Sequence, residues 1–234
     1  MIRVNIPIFI TVNTDTEELK NKNVLLLPYA YDYLSRQETI NRCVVISKDD
    51  DVLEYARKLG FKNTYKERPI NCKACNIDYN GIYHHMQDNP TDYDWFIKFR
   101  LDQPFKSENL IIDAIRGIDY NKDFLVSASS FTDRERLYIN EDDKFTQLIE
   151  NSNRCMEKCV RTRLVDGSIW CFNTEFFKKC VESDDFYGTL WNGRYKILRN
   201  DSMFIQIMSA DQVRRFYLAS DVYNRIINMP KFGE

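Results

Sequence analysis

The sequence predicts an α/β protein with three layers and a mainly parallel sheet. Short, fully apolar runs such as Cys43 to Ser47 are typical of strands that helices bury on both faces. Segments with apolar residues at helical spacing, such as Asp49 to Leu59, separate these runs. Because strands alternate with helices along the chain, we expect most neighbouring strands to be parallel.

The elements follow in chain order. The predicted strands are Arg3 to Val12, Cys43 to Ser47, Phe61 to Tyr65, Asp94 to Phe99, Asp123 to Ser129, Gly167 to Phe172, Tyr195 to Leu198 and Ser202 to Ile207. The predicted helices are Pro28 to Glu38, Asp49 to Leu59, Asp78 to Gln87, Leu110 to Ile118, Thr174 to Val181 and a terminal helix that starts at the capping box Ser209 to Gln212. Pro28 suits a first helical turn, and Gly60 suits a helix end. A polar loop is expected from Asn13 to Asn23.

The composition is that of a globular protein of 234 residues. The chain has only 7 glycines and 6 prolines, which argues against long flexible linkers, and we expect residues 1–234 to form a single domain. A formal net charge of −2 does not suggest a nucleic-acid partner or an acidic membrane surface. The segment from Ser130 to Arg163 is heavily charged and irregular, so we expect it to project from the sheet as strands and loops.

The cysteines indicate a reducing compartment. Their number, seven, is odd, and Pro7 interrupts the apolar run at the start of the chain, so no secretory signal is visible. We therefore expect a cytoplasmic protein with reduced thiols. Two pairs, Cys72 with Cys75 and Cys155 with Cys159, could together form a four-cysteine zinc site, although the second spacing fits loosely. The alternative is that these thiols are incidental.

The strongest functional signal follows the Asp94 to Phe99 strand. The sequence there is Arg-Leu-Asp-Gln-Pro, which places the carboxylate of Asp102 where the strand leaves the sheet. Pro104 cannot extend the strand ladder, so the chain turns beside Asp102. Ligands of open α/β sheets lie outside the carboxyl ends of strands, and an aspartate there can hold a divalent cation against phosphate oxygens. Alternatively, Asp102 only caps the next helix.

Several motifs stand in the order found in one enzyme family. They are Lys22-Asn23 before four apolar residues, Cys43 to Ser47 with Asp49-Asp50, Arg68-Pro69, Tyr79 to His84, and Asp166 to Trp170. Across nearly its whole length the chain resembles the sugar-acid cytidylyltransferases, chiefly the CMP-sialic acid synthetases, with the KDO cytidylyltransferases as a related group. The resemblance implies a nucleotide-diphospho-sugar transferase fold. It also implies transfer of CMP from CTP to a sugar acid, with release of pyrophosphate and help from Mg²⁺.

The resemblance assigns residues to the nucleotide. Lys22 would neutralise the triphosphate and the leaving pyrophosphate, and Asn23 would bond to the ribose. Arg68 would face the cytosine carbonyl. Asn76 or Asp78 falls where the family reads the base edge, and a carboxylate can accept a hydrogen bond from the cytosine amino group. The alternatives are a solvated loop lysine, a turn asparagine, a surface arginine and a helix cap.

Other residues are assigned to the sugar acid and the metal. Arg163 could hold the carboxylate of a sugar acid in a fork geometry, or could be one of several surface arginines. The residues from Arg100 to Gln103 resemble the KDO-type Gln-Gly-Asp-Glu motif, which implies that Arg100 and Gln103 contact the substrate and that Asp102 binds Mg²⁺. The resemblance further implies a homodimer in which residues 130–163 reach into the neighbouring site.

Two departures separate the chain from this family. The loop from Val12 to Glu18 is acidic and lacks glycine, which is unfavourable beside a triphosphate. The two acids that bind metal near the end of the sialic acid enzymes are replaced by Phe204 and Gln206. Asp102 could replace one of the missing metal-binding acids, and Asp201 could substitute for the second.

Three functions remain open from the sequence. The first is an active nucleotidyltransferase with a rearranged metal site. The second is a degenerate relative that binds a nucleotide, sugar or protein without turnover. The third is another nucleotide-sugar enzyme of related fold, such as a glycosyltransferase. His84 and His85, the only histidines, could act as a general base, but adjacent helix histidines are usually structural or exposed.

Overall fold

The computed structural model describes residues 6–68, 77–89, 92–104, 106–129, 137–141, 144–147, 163–200, 208–217, 225–226 and 228–233. The strands are β1 (Ile8–Thr11), β2 (Cys43–Ser47), β3 (Asn63–Lys66), β4 (Trp95–Phe99), β5 (Phe124–Ser129), β6 (Leu137–Glu141), β7 (Lys144–Gln147), β8 (Arg163–Asn173) and β9 (Tyr195–Asn200). The helices are α1 (Glu17–Arg36), α2 (Asp50–Leu59), α3 (Ile77–Asp88), α4 (Leu110–Gly117), α5 (Thr174–Glu182), α6 (Phe186–Trp191) and α7 (Ala210–Tyr217).

The strands form one mixed sheet in the order β3-β2-β1-β4-β8-β5-β9. β1 runs parallel to both of its neighbours, with Ile8 opposite Cys43 on one side and Ile97 on the other. β8 is antiparallel to β4 and β5, and the β6–β7 hairpin pairs with its first residues. The predicted α/β class is confirmed, and so is the prediction that the first, second and fourth strands lie together in parallel.

Helices cover both faces of the sheet and give the predicted three layers. One face packs against α1, α2, α4 and α7 through side chains such as Ile10, Val45 and Ile97. The other face packs against α3, α5 and α6 and is rich in aromatic rings, including Phe96 and Phe172, which stack with centroids 5.5 Å apart. This double cover explains why the central strands are apolar at nearly every position.

The order of strands creates a switch point between β1 and β4. The chain moves from β1 outward to β2 and β3, and then returns to place β4 on the opposite side of β1. Since β1 and β4 are parallel, their carboxyl ends lie side by side at the same end of the strands. The segments that follow β1 and β4 leave the sheet there in opposite directions. Ligands of open α/β sheets bind in the crevice at such a point.

The predicted boundary between loop and first helix is wrong. α1 begins at Glu17, and its N-cap is Thr16, whose hydroxyl accepts a hydrogen bond of 3.2 Å from the amide of Leu19. Pro28 therefore lies inside α1, and Lys22 lies on the helix instead of a loop. The helix tolerates the proline because its apolar stripe is buried against the sheet, so tertiary packing outweighs the lost main-chain hydrogen bond.

Smaller differences occur later in the chain. Asn173, not Thr174, caps α5, and its side chain accepts a hydrogen bond from the amide of Phe176. The short helix α6 was not predicted. The capping box is confirmed, because Ser209 and Gln212 each accept a hydrogen bond from the other's amide at 3.3 Å. The predicted strand at residues 202–207 lies outside the described residues, as does most of the segment 130–163.

Candidate functional site

A small cleft opens at the carboxyl ends of β1 and β4, and we call it the switch-point cleft. Its volume is about 150 Å³. The lining residues are Thr11, Asn13, Leu19, Lys22, Asn23, Arg100, Leu101 and Asp102. The structure therefore brings together four residues that the sequence assigned to a site, from two segments that are nearly eighty positions apart.

Lys22 reaches the cleft from the buried side of α1. Only 8% of the residue is exposed, and it forms no ion pair with any described residue. The neighbouring lysines differ, because Lys20 pairs with Asp49 at 2.6 Å and Lys48 pairs with Asp15. A largely buried lysine that lines a cleft and has no ion-pair partner among the described residues is suited to bind an anion.

The acidic loop before α1 does not direct its charges into the cleft. Asp15 is held outside by its ion pair with Lys48, and Glu17 and Glu18 are exposed in the first helical turn, where the helix dipole favours acids. This arrangement removes the electrostatic objection that the sequence raised against a phosphate in this place.

Asn23 holds the loop in position. Its amide nitrogen donates a hydrogen bond of 2.7 Å to the carbonyl oxygen of Asn13. The side chain of Asn13 in turn accepts a bond of 2.8 Å from the amide of Asp15 and closes a local turn. Asn23 is buried on α1, so it is neither a turn residue nor a freely exposed donor.

Arg100 and Asp102 form a two-pronged ion pair at the mouth of the cleft. Nε of Arg100 donates to Oδ1 of Asp102 at 3.0 Å, and Nη2 donates to Oδ2 at 2.6 Å. The side chains are partly buried, with 23% of Arg100 and 17% of Asp102 exposed. The carboxylate therefore faces the cleft as the sequence predicts, but it lies beside a cation of the protein itself.

Lys106 holds the turn that contains Asp102 through hydrogen bonds to its main chain. The ammonium group of Lys106 donates to the carbonyl oxygens of Arg100, at 2.8 Å, and Gln103. It also lies 3.8 Å from the ring centroid of Phe99. Since only 9% of Lys106 is exposed, these bonds are shielded from water and fix the shape of the turn.

Three other elements hold the same turn. Asn200, at the end of β9, accepts a bond of 3.0 Å from the amide of Ser107, and Tyr33 of α1 donates 2.9 Å to the carbonyl of Ser107. The amide of Arg100 donates to the carbonyl of Ser168 at 3.1 Å. The side-chain amide of Asn200 donates to the hydroxyl of Ser168 at 3.3 Å and links β9 to β8.

A bulge in β8 lies next to Arg100. The pairing of β5 with β8 shifts between Val126 and Ala128, and Gly167 has a φ of +63° there. A side chain at Gly167 would start 2.9 Å from the indole nitrogen of Trp170 and 3.7 Å from a guanidinium nitrogen of Arg100. Gly167, in the motif that begins at Asp166, thus lies close to the Arg100 turn.

The donor set fits a metal only in partnership with a substrate. No group of three histidine, cysteine or acidic residues is placed to hold a metal ion within the described ranges. Asp102 supplies one hard carboxylate at the cleft, and Mg²⁺ is commonly held by one or two carboxylates together with substrate phosphates. Asp102 could therefore contribute to a Mg²⁺ site that a nucleotide completes, while Asp201 lies outside the described residues.

The other predicted residues are only partly placed. Arg68 forms an exposed ion pair of 2.8 Å with Asp88 and does not line the switch-point cleft. Gln103 is buried in the turn, with 1% exposed, and does not line the cleft either. Asn76 lies outside the described residues, and the structure describes the backbone but not the side chains of Asp78 and Arg163. The cysteines at 72, 75, 155 and 159 also lie outside the described residues.

The two histidines have a structural setting. The ring of His85 packs edge-on against Phe9 and Tyr65, with centroids 5.1 Å apart in each case. Burial lowers the pKa of both His84 and His85. Neither lines the switch-point cleft, so a general-base role there has no support.

Several contributors were not foreseen from the sequence. Thr11 and Asn13 line the cleft, and Lys106, Ser168 and Asn200 hold its turn. Thr11 and Asn13 could have been found, since they follow the first apolar strand directly. The supporting residues carry no local signal, because their partners are distant in the chain.

A larger depression of about 530 Å³ lies on the surface of α5. Its charged side chains neutralise one another, as in the pair of Lys178 with Glu175 at 2.8 Å. It is open, and lies away from the carboxyl ends of the parallel strands. The switch-point cleft is smaller but holds the convergent, buried polar groups that mark a binding site.

The fold is shared with nucleotidyltransferases of known structure. A CMP:2-keto-3-deoxy-manno-octonic acid synthetase solved with CTP superposes with a TM-score of 0.65 at 12% identity, covering 91% of this chain and 98% of that one. A 4-diphosphocytidyl-2C-methyl-D-erythritol synthase from Anaerococcus prevotii gives 0.60 at 13% identity, covering 92% and 98%. The inositol-1-phosphate CTP transferase from T. maritima gives 0.58 at 11% identity, covering 95% and 96%.

Comparison of the sequence with known families and curated proteins gives no match. In the described part of the chain, no helix is both long and apolar enough to cross a bilayer. At identities of 11–13% the superpositions establish the architecture. The chain has the nucleotide-diphospho-sugar transferase-like fold predicted from its sequence motifs.

Proposed function

We propose that this protein is a nucleotidyltransferase that transfers CMP from CTP to a sugar acid and releases pyrophosphate. The observation that carries the proposal is the switch-point cleft, where the buried Lys22 and the partly buried Asp102 converge between β1 and β4. Solved structures of the same fold include a CMP:2-keto-3-deoxy-manno-octonic acid synthetase complexed with CTP.

The size of the cleft suits the phosphates of a nucleotide. A volume of about 150 Å³ is well below the roughly 300–1,000 Å³ of a pocket for a whole small molecule. Lys22 would bind the phosphate oxygens, and Asn23 would keep the adjacent loop in shape for the ribose. The base would extend beyond the cleft, and we propose Arg68 and either Asn76 or Asp78 as the residues that contact it.

Asp102 would hold Mg²⁺ against the phosphate oxygens. When bound, Mg²⁺ would neutralise charge on the α-phosphate and on the leaving pyrophosphate. The residues of the chain itself would do the rest. Lys22 would stabilise the pyrophosphate as the bond to the α-phosphate breaks, and the turn at Asp102 would orient the triphosphate for attack by a sugar hydroxyl.

The sugar acid would lie on the side of β8. Arg163 begins this strand, which is paired with β4, and a guanidinium there could bind a carboxylate in fork geometry. Arg100 and Gln103 belong to the turn on the same side. The β6–β7 hairpin extends from β8, and we further propose that residues 130–163 take part in a homodimer. A cytoplasmic location is proposed from the reduced cysteines that the sequence predicts.

Calorimetric titration with CTP, with and without Mg²⁺, tests the binding step, and pyrophosphate release with a panel of sugar acids tests turnover. We expect CTP to bind more tightly with Mg²⁺ and in preference to UTP. A preference for UDP-sugars would favour a glycosyltransferase. Tight nucleotide binding without pyrophosphate release from any sugar acid would indicate a protein that binds but does not turn over.

A further inference from the structure

We infer that Arg100 and a divalent cation compete for the carboxylate of Asp102, so that the cation binds tightly only when a nucleotide triphosphate draws the guanidinium away. Arg100 would then have two positions, on Asp102 in the free protein and on phosphate in the complex. This inference rests on the proposed function and adds an order to its binding steps.

The first argument is the geometry of the pair. Both oxygens of Asp102 accept hydrogen bonds from Arg100, at 3.0 Å and 2.6 Å. A cation coordinates a carboxylate through these same oxygens. Arg100 already occupies one lone pair of each oxygen and places a like charge beside the remaining ones, so it weakens cation binding. Paired planar groups of this kind are among the stronger hydrogen-bonded contacts in proteins, and this one is less than a quarter exposed.

The second argument is the charge of the cleft. Among the described residues that line the cleft, Asp102 is the one acid, while Lys22 and Arg100 are both basic. These three side chains together carry a net positive charge, which opposes entry of a divalent cation. A triphosphate reverses this sign and offers phosphate oxygens that fit a guanidinium as well as a carboxylate does.

The third argument is the way the turn is held. Lys106 and Ser168 bind main-chain atoms of the turn and do not depend on the side chain of Arg100. The guanidinium can therefore leave Asp102 without unfolding the turn. Arginine stands here where the KDO-type motif that this turn resembles has a neutral glutamine.

The test measures Mn²⁺ binding by electron paramagnetic resonance, which counts free Mn²⁺ directly and needs no turnover. Without nucleotide, Arg100→Gln should bind Mn²⁺ about tenfold more tightly than the wild type, the worth of a hydrogen bond to a charged group. Arg100→Lys keeps the positive charge but cannot bind both carboxylate oxygens at once. Its Mn²⁺ affinity should lie between those of the wild type and Arg100→Gln. The double variant Arg100→Gln with Asp102→Asn should not bind Mn²⁺ more tightly than the wild type does.

A matched control removes an arginine elsewhere. Arg194 pairs with Asp123 at 3.1 Å, outside the cleft, and Arg194→Gln should leave Mn²⁺ affinity unchanged. Melting temperatures show whether each variant folds. Equal Mn²⁺ affinity of the wild type and folded Arg100→Gln without nucleotide would overturn the inference.

The nucleotide arm separates the inference from the proposed function. With Mg²⁺ present, CTP should bind Arg100→Gln more weakly than the wild type, because a phosphate ligand is lost. Equal or tighter CTP binding by Arg100→Gln would overturn the second position of Arg100. If CTP bound to no variant while the tenfold Mn²⁺ effect was present, the proposed function would fail and the competition for Asp102 would stand.

Discussion

The ammonium group of Lys106 donates a hydrogen bond of 2.8 Å to the main-chain carbonyl oxygen of Arg100. A second bond goes to the carbonyl of Gln103, so one buried cation joins both ends of the turn that contains Asp102. The position of the proposed metal ligand thus depends on a lysine that does not itself line the cleft.

The first prediction concerns Lys106→Met, which keeps the apolar stem but removes the donors. One buried and one partly buried carbonyl group would lose a charged partner, so we expect a loss of about 1–3 kcal/mol in the free energy of unfolding. Because the turn would shift, kcat should fall more than the affinity for CTP. Urea unfolding and steady-state kinetics measure the two effects.

A matched control for Lys106 exists on the surface. Lys196 also donates to a main-chain carbonyl, that of Gly117 at 3.0 Å, but in an exposed position. Lys196→Met should change stability by less than about 0.5 kcal/mol, as for most surface substitutions. If the two variants behaved alike, Lys106 would have no special part in holding the turn.

The second prediction concerns Lys22→Met. Removing the charge of a lysine that lines the cleft should weaken CTP binding about tenfold or more, as expected for a lost charge-assisted contact. The fold should not be weakened, because no described residue pairs with Lys22. Lys20→Met is the control, since Lys20 lies on the same helix but pairs with Asp49. Calorimetry with CTP should detect a change only for Lys22.

The third prediction concerns Asp102→Asn, which keeps the shape and removes the charge. In an active enzyme the rate should fall on the order of a hundredfold or more, comparable to the loss of one strong transition-state contact. The melting temperature should change little, because the asparagine keeps an oxygen that can accept a hydrogen bond from Arg100 and because Lys106 and Ser168 hold the turn through its main chain. Normal turnover with a lower melting temperature would instead make Asp102 a structural residue.

The sequence predicted the central sheet because burial on both faces leaves a direct pattern. Cys43 to Ser47 and Trp95 to Phe99 are strands at almost the positions expected. The start of α1 was predicted wrongly. Proline is common in the first turn of a helix, so the sequence places the helix start at Pro28. Its actual position inside the helix depends on packing against the sheet, and that packing is not a local property of the sequence.

The candidate site was predictable where a residue follows a strand directly. Asp102 and Arg100 follow β4 and line the cleft as expected, and Lys22 was found through a motif although its element was wrong. Ser168 and Asn200 could not be found, because they lie 32 positions apart and meet only through the mixed pairing of β8 and β9 around β5.

The fourth prediction concerns acid stability and His85. Its Nδ1 atom is buried without a hydrogen-bond partner among the described residues, and burial lowers the pKa of the ring despite the nearby Asp88. The unfolded chain therefore takes up a proton near pH 6.5 that the folded protein resists, so stability should fall as pH decreases below about 6.5. Burial acts on His84 in the same direction.

His85→Phe keeps an aromatic ring against Phe9 and Tyr65 but cannot be protonated. Urea unfolding at about pH 7.5 and about pH 5.5, on either side of the ordinary histidine pKa, should show a smaller loss of stability on acidification in this variant than in the wild type. His84→Gln serves as the comparison for the second histidine. An unchanged acid loss in His85→Phe would show that other groups control it.

The fifth prediction concerns Gly60, which ends α2 in a left-handed conformation with φ of +110°. A Cβ atom there would lie 2.5 Å from the hydroxyl oxygen of Tyr31, so Gly60→Ala combines backbone strain with a steric clash. We expect a loss of about 1–3 kcal/mol, measured by urea unfolding. Gly233 also has positive φ, but a Cβ atom there would meet no other atom within 4 Å, so Gly233→Ala near the chain end should cost less. Similar losses for the two variants would mean that backbone conformation alone, without Tyr31, accounts for the effect.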